Sequence, residues 1–191
     1  MPDGGWQLGV GDPTVVGWTT TGLYLVASSL AVRAARRLGA GQGPEELSAS
    51  DSQLLARFWW LVFGIMLLLG VNKQIDLQTL FTQTAKQLAK AQGWYEARRR
   101  YQAAFVASAV LVVGAGVALL SYVLRGVLSR VLRPILGLFI VATYILLRAA
   151  LFQHMDWGQL DRLEDWMWLL EVAGIALVLG SALRFGQPHA S

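Results

Sequence analysis

From Ala103 to Leu124 no residue carries a charge, and four further stretches of the chain are nearly as apolar. A helix rises about 1.5 Å per residue, so crossing about 30 Å of hydrocarbon takes roughly 20 mostly apolar residues. In lipid a chain has to satisfy its backbone hydrogen bonds internally, which turns such runs into helices. The expected spans are 14–32, 54–71, 103–124, 134–152 and 166–183. The chain is therefore read as all-α: an integral membrane bundle of five transmembrane helices plus an amphipathic interfacial helix, in one domain covering 1–191. The second run is interrupted at its start by Arg57, so an alternative has four full spans, with that run failing to cross.

Composition agrees with a bilayer as the solvent. Only 15% of the residues are charged, where a soluble domain carries about 25%, and 55% are hydrophobic. A water-soluble globular enzyme and a disordered chain are thereby excluded. With no Cys there is no disulfide framework, no cysteine nucleophile and no iron-sulfur or thiolate metal site. His154 and His189 are the only histidines, too few for a zinc centre of three imidazoles in one chain. The net charge of +4 comes from cations at the ends of apolar runs rather than on one polar face. That pattern points to membrane lipid as a partner and away from nucleic acid.

Ahead of the first run lie Asp3 and Asp12 but no basic stretch, and no small-residue cleavage site ends the run. It is therefore expected to stay as a span rather than leave as a signal peptide. Beyond it come Arg33, Arg36 and Arg37, which places the N-terminus outside and the first loop in the cytoplasm. Alternation then puts Arg125, Arg130 and Arg133 inside, and Asp156, Asp161, Glu164 and Asp165 outside. The total count of cations is equal on the two sides, because the second loop carries Lys73, Lys86, Lys90 and Arg98 to Arg100.

Within that loop, over 75–92, Leu77, Leu80, Phe81, Leu88 and Ala91 recur at helical spacing, as on a helix lying in the membrane interface. Small residues four apart, Ala104 with Ser108 and Gly114 with Ala118, offer the third span a close neighbour. Trp59, Trp60, Trp157, Trp166 and Trp168 stand near expected interfaces and read as an aromatic belt.

With the N-terminus outside, three polar stretches reach the same outer face: residues 72–76, residues 94–100, and Arg148 to Asp156 together with Glu171. Asn72 and Asp76 share a helix face, and Lys73 can reach Asp76. Arg148 and Glu171 each lie roughly 6 to 8 Å below their helix ends, at matching depth across one hairpin. An ionised group at membrane depth must be paired or reach water, so these two are expected to pair directly or within a shared network. The binding candidates are Asn72, Lys73, Asp76, Arg99, Arg148, His154 and Glu171. His154 as general base, with Asp156, Asp76 and Glu171 as acid, base or metal ligands, is the catalytic candidate set. No phosphate loop, nucleophile elbow or zinc helix motif is present.

Gly11-Asp12-Pro13-Thr14 with Gly17-Trp18, the run Asn72 to Gln78, Ala91-Gln92-Gly93-Trp94-Tyr95 with Arg98-Arg99, Arg148 with Phe152 and His154-Met155-Asp156, and Leu170-Glu171 with Gly174-Ile175 together resemble one family. It is a family of small bacterial inner-membrane proteins without an assigned activity. The resemblance covers nearly the whole chain and implies a multi-pass protein of the bacterial inner membrane. Some members are labelled isopropylmalate isomerase, a soluble iron-sulfur enzyme; a chain without Cys cannot hold that cluster by thiolates. Gln153 stands where the family pattern has a second His.

Two functions fit. The favoured one is a non-catalytic binding, scaffold or accessory protein whose outer-face polar network engages a lipid headgroup, a small ligand, a protein partner or a second copy. The other is a membrane-embedded hydrolase or transferase acting on a lipid-linked substrate at the outer leaflet. Neither reading identifies a cofactor or a metal.

Overall fold

The computed structural model describes residues 14–44, 46–75, 98–151 and 157–186. These form five helices: α1 (Val15–Gly39), α2 (Ala49–Ile75), α3 (Arg98–Val123), α4 (Leu128–Leu151) and α5 (Trp157–Gly186). Among the described residues there is no strand. Four helical stretches are long and apolar enough to cross a membrane: Val15–Gly39, Ala49–Ile75, Leu128–Arg148 and Met167–Gly186. The interfacial segment expected over 75–92 lies, apart from Ile75, outside the described residues.

Each helix end has a local cause. At the start of α1 the Thr14 hydroxyl accepts a hydrogen bond from the Gly17 amide at 3.0 Å, satisfying one donor that the first turn leaves open. Its other end closes with the Gln42 amide on the Arg37 carbonyl at 2.9 Å and the Gly41 amide on that of Leu38 at 3.1 Å. Gly41 makes this reversal in the left-handed region, φ 73°, which a residue with a Cβ enters only with strain. Ser48 caps α2 by accepting from the Asp51 amide at 3.1 Å. Between α3 and α4 the chain turns at 124–127, the Val127 amide donating to the Leu124 carbonyl at 2.8 Å.

The second run is long and apolar enough to cross, as expected. The second run is one continuous helix, so Arg57 does not stop it; it is exposed while Phe58 and Trp59 beside it are buried. The third run, charge-free and read as a full span, lies on α3, a helix of 26 residues, of whose described residues the apolar stretch is Ala107–Val123. The fourth begins a full turn and more before Pro134, which sits inside α4. A proline there removes one amide donor from the helix ladder without ending it.

Packing runs in the order α2, α1, α5, α4, α3, so α1 and α5 hold the centre. The buried face of α1 is built from small residues, Ala27, Ala31, Ala34 and Ala35, which lets α2 come close. Against it α2 sets Leu55, Trp59, Val62 and Met66. Trp59 is 0% exposed and packs on Phe58 and Phe185 with ring centroids 5.5 and 5.7 Å away. It is a core residue rather than a belt residue. Trp60 and Trp168 are 45% and 39% exposed, as a belt requires.

Two glycines face each other where α4 crosses α5. A Cβ on Gly137 would lie 2.6 Å from the Gly174 carbonyl oxygen, and one on Gly174 would lie 2.8 Å from that of Gly137. Backbone therefore touches backbone at a pair of glycines. The small residues expected to serve α3 do not: Ala104, Ser108 and Ala118 are exposed, and a Cβ on Gly114 would meet nothing within 4 Å.

Candidate functional site

α1 and α5 begin, and α2 and α4 end, at one end of the bundle, and there the four helices converge on a single carboxylate. Glu171 projects from α5 and is 2% exposed. A side chain so buried can stay ionised only if its oxygens are satisfied within the protein. Lys73, in the last turn of α2, supplies the charge: its Nζ lies 2.6 Å from Glu171 Oε2, with 9% of the lysine side chain exposed. Tyr24 of α1 donates its hydroxyl to Glu171 Oε1 at 3.1 Å. Both carboxylate oxygens thus have a donor, one of them charged.

On the fourth side stands Tyr144 of α4. The Lys73 ammonium is 5.9 Å from its ring centroid, within the range where a cation is attracted by the ring face. Arg148, one turn further along α4, donates from Nη1 to the Tyr144 hydroxyl at 3.2 Å. Arg148 and Glu171, expected to pair directly or within a shared network, meet only in the second way: the cation on Glu171 is Lys73, and Arg148 joins through Tyr144. Depth matching across the α4–α5 hairpin selects two members of the network but not the cation in direct contact with the carboxylate. The flexible four-carbon stem of Lys73 lets α2 reach across a bundle in which it packs on α1.

A second polar link runs beside the first. Gln74 donates from Nε2 to the Thr21 hydroxyl at 2.9 Å, and that hydroxyl donates to the Gly17 carbonyl at 2.9 Å. Gln74 Oε1 is buried without a partner. A Cβ on Gly70 would lie 3.0 Å from that of Tyr24, so the lack of a side chain one turn before Lys73 lets Tyr24 sit against α2.

Of the residues expected in a site, Lys73, Arg148 and Glu171 come together, and Asn72 lies half-buried beside Lys73. Asp76, His154 and Asp156 lie outside the described residues, as does the side chain of Arg99. Among the described residues no three His, Asp or Glu gather as metal ligands would. The structure adds Tyr24, Thr21, Gln74 and Tyr144. For the two tyrosines the sequence held a signal: a phenol inside an apolar span needs a hydrogen-bond partner when buried. Gln74 lies within the polar run at 72–76 and is joined to α1 by a hydrogen bond.

Chemically, the arrangement is a network in which both oxygens of Glu171 have donors while Gln74 Oε1 beside it has none. The carboxylate is engaged, its ammonium is held against it, and both are largely shut off from solvent. Such a group anchors helices and presents the tip of Arg148 and the end of α2 at a fixed place. It does not offer a free base. In comparisons with protein families, curated proteins and solved structures, nothing matches the chain.

Proposed function

We propose that this is a multi-pass protein of the bacterial inner membrane acting as a non-catalytic binding, scaffold or accessory component, with its polar network at the extracytoplasmic end. In this reading α3 completes a fifth crossing, the N-terminus lies outside, and the end rich in arginine faces the cytoplasm. The observation that carries it is the engagement of Glu171 on both oxygens, by Lys73 and by Tyr24. A catalytic carboxylate needs an open position for substrate or water, whereas a carboxylate that ties three helices serves the shape of the surface around it.

The test combines stability with turnover. Lys73→Glu and Glu171→Lys should each destabilise the protein in lipid nanodiscs, and the exchanged double variant should recover most of the loss. Wild-type protein incubated with radiolabelled lipid-linked substrates should release no product. Turnover that disappears in a folded Glu171→Gln variant would overturn the proposal and make the site an active site.

A further inference from the structure

Between α2, α3 and α4 lies a cavity of about 510 Å³, within the range of ligand pockets, about 300–1,000 Å³. Its walls are apolar and include Leu61 and Ile65 of α2, Gly116 and Val123 of α3, and Ile135 and Ala142 of α4. The space is open along one side, where Leu61, Val123 and Phe139 are exposed, and its walls offer water no polar partner. Gly116 enlarges it, since a Cβ there would meet nothing within 4 Å. Hydrocarbon is the occupant its chemistry accepts.

Two features say which hydrocarbon. Along α4 the wall runs from Ile135 to Ile145, ten residues or about 15 Å. That is half of the roughly 30 Å hydrocarbon core, a length an acyl chain can fill, set midway along α4 between Leu128 and Leu151. At the α3–α4 turn the cavity ends beside cations: Val123 precedes exposed Arg125 by two residues, and Ile135 follows exposed Arg133 by two. Among the described residues this end of the bundle carries Arg33, Arg36, Arg37, Arg57, Arg125, Arg130, Arg133 and Arg184 against Glu46 and Asp51. Arg130 engages Glu46 at 3.6 Å, and the Arg125 guanidinium lies 5.0 Å from the Tyr122 ring centroid. The balance left at the rim is positive, and clustered arginines at a membrane surface attract anionic headgroups.

We propose that this cavity holds one acyl chain of an anionic phospholipid from the leaflet at the arginine-bearing end, its headgroup resting against Arg125 and Arg133. The site names a ligand for the binding role proposed above and rests on that reading. Its inner end, at Leu69 and Ile145, comes within a turn of Lys73 and Tyr144 along their helices, but the headgroup contacts Arg125 and Arg133 are at the opposite end from Glu171, so the two can fail separately.

The experiment uses full-length protein in nanodiscs containing phosphatidylglycerol with a photoactivatable diazirine on one acyl chain, with the same chain on phosphatidylcholine as comparator. Labelled residues are mapped by mass spectrometry. Label from phosphatidylglycerol should concentrate on cavity residues such as Leu61 and Ala142 and exceed that from phosphatidylcholine severalfold. Gly116→Leu should fill the cavity and remove most of that label. Gly114→Leu, on the same helix and equally free of neighbours, should leave it unchanged. Arg125→Gln with Arg133→Gln should lower the phosphatidylglycerol label to the phosphatidylcholine level. Equal labelling of the two leucine variants, equal labelling by the two lipids, or protection of the cavity by a second copy or by residues 76–97 would each overturn the proposal. The network variants of Lys73 and Glu171 should leave this labelling intact; if they abolish turnover instead, the binding role falls while the lipid site stands.

Discussion

Glu171 is the residue on which the polar end of this protein turns. Leaving one member of a buried ion pair without the other costs about 3 to 5 kcal/mol, so Lys73→Met should be among the most destabilising single changes in the chain. Removing both charges should cost far less than the two single losses added together. A double-mutant cycle of Lys73→Met and Glu171→Gln, followed by unfolding in nanodiscs, measures this coupling; additive losses would mean the 2.6 Å contact carries no mutual dependence. Tyr24→Phe deletes a hydrogen bond to a charged acceptor and should lower stability by about 1.5 to 3 kcal/mol, with no change in the apolar packing of α1 on α2. Each partner was visible in the sequence as a polar residue in apolar surroundings. Their assignment to one another was not, because it depends on which helices meet.

At the scale of elements, the helices follow from apolar runs and caps, but their contacts follow from where side chains are missing. Gly137 and Gly174 set the distance between α4 and α5, and a methyl group on either must push backbone away. Overpacking of this kind costs typically 1 to 3 kcal/mol, so Gly174→Ala should be clearly destabilised. Gly180→Ala on the same helix meets no neighbour within 4 Å and should be nearly neutral or stabilising. Comparing their unfolding in one lipid composition checks this; equal effects would remove the special role of the crossing. Gly41→Ala should destabilise the α1–α2 connection by about 1 to 2 kcal/mol, since its left-handed backbone disfavours any Cβ. Ala and Gly occur at helical spacing in several runs here, and α3 looked the best supplied. Only the packing order separates the pair that touches from those that face outward.

For the whole molecule, the division of charge between the two ends predicts its orientation. The absence of Cys makes single introduced cysteines clean reporters. Gly126→Cys in the α3–α4 turn and Ser50→Cys at the start of α2, both at exposed positions, should resist a membrane-impermeant maleimide in intact cells and react after lysis. Thr14→Cys, at the opposite end, should react in intact cells. The reverse pattern would invert the molecule and move the Glu171 network to the cytoplasmic side. Fast labelling of Gly126→Cys and Thr14→Cys from the same side would contradict an odd number of crossings.

The sequence by itself determined that the chain is helical and belongs in a bilayer, since lipid leaves unpaired backbone no other solution and apolar runs of sufficient length are countable. It also marked Lys73, Arg148 and Glu171, because ionisable groups near membrane depth must be accounted for. What only the tertiary structure decided was pairing and packing: that Lys73 is the cation in direct contact with Glu171, that Trp59 is interior, and that an apolar cavity opens between α2, α3 and α4. Within one helix, period and spacing fix which residues share a face. Between helices, the identity of the neighbour depends on crossing points set by a few glycines and alanines, and nothing local in the chain records which of many small residues those will be.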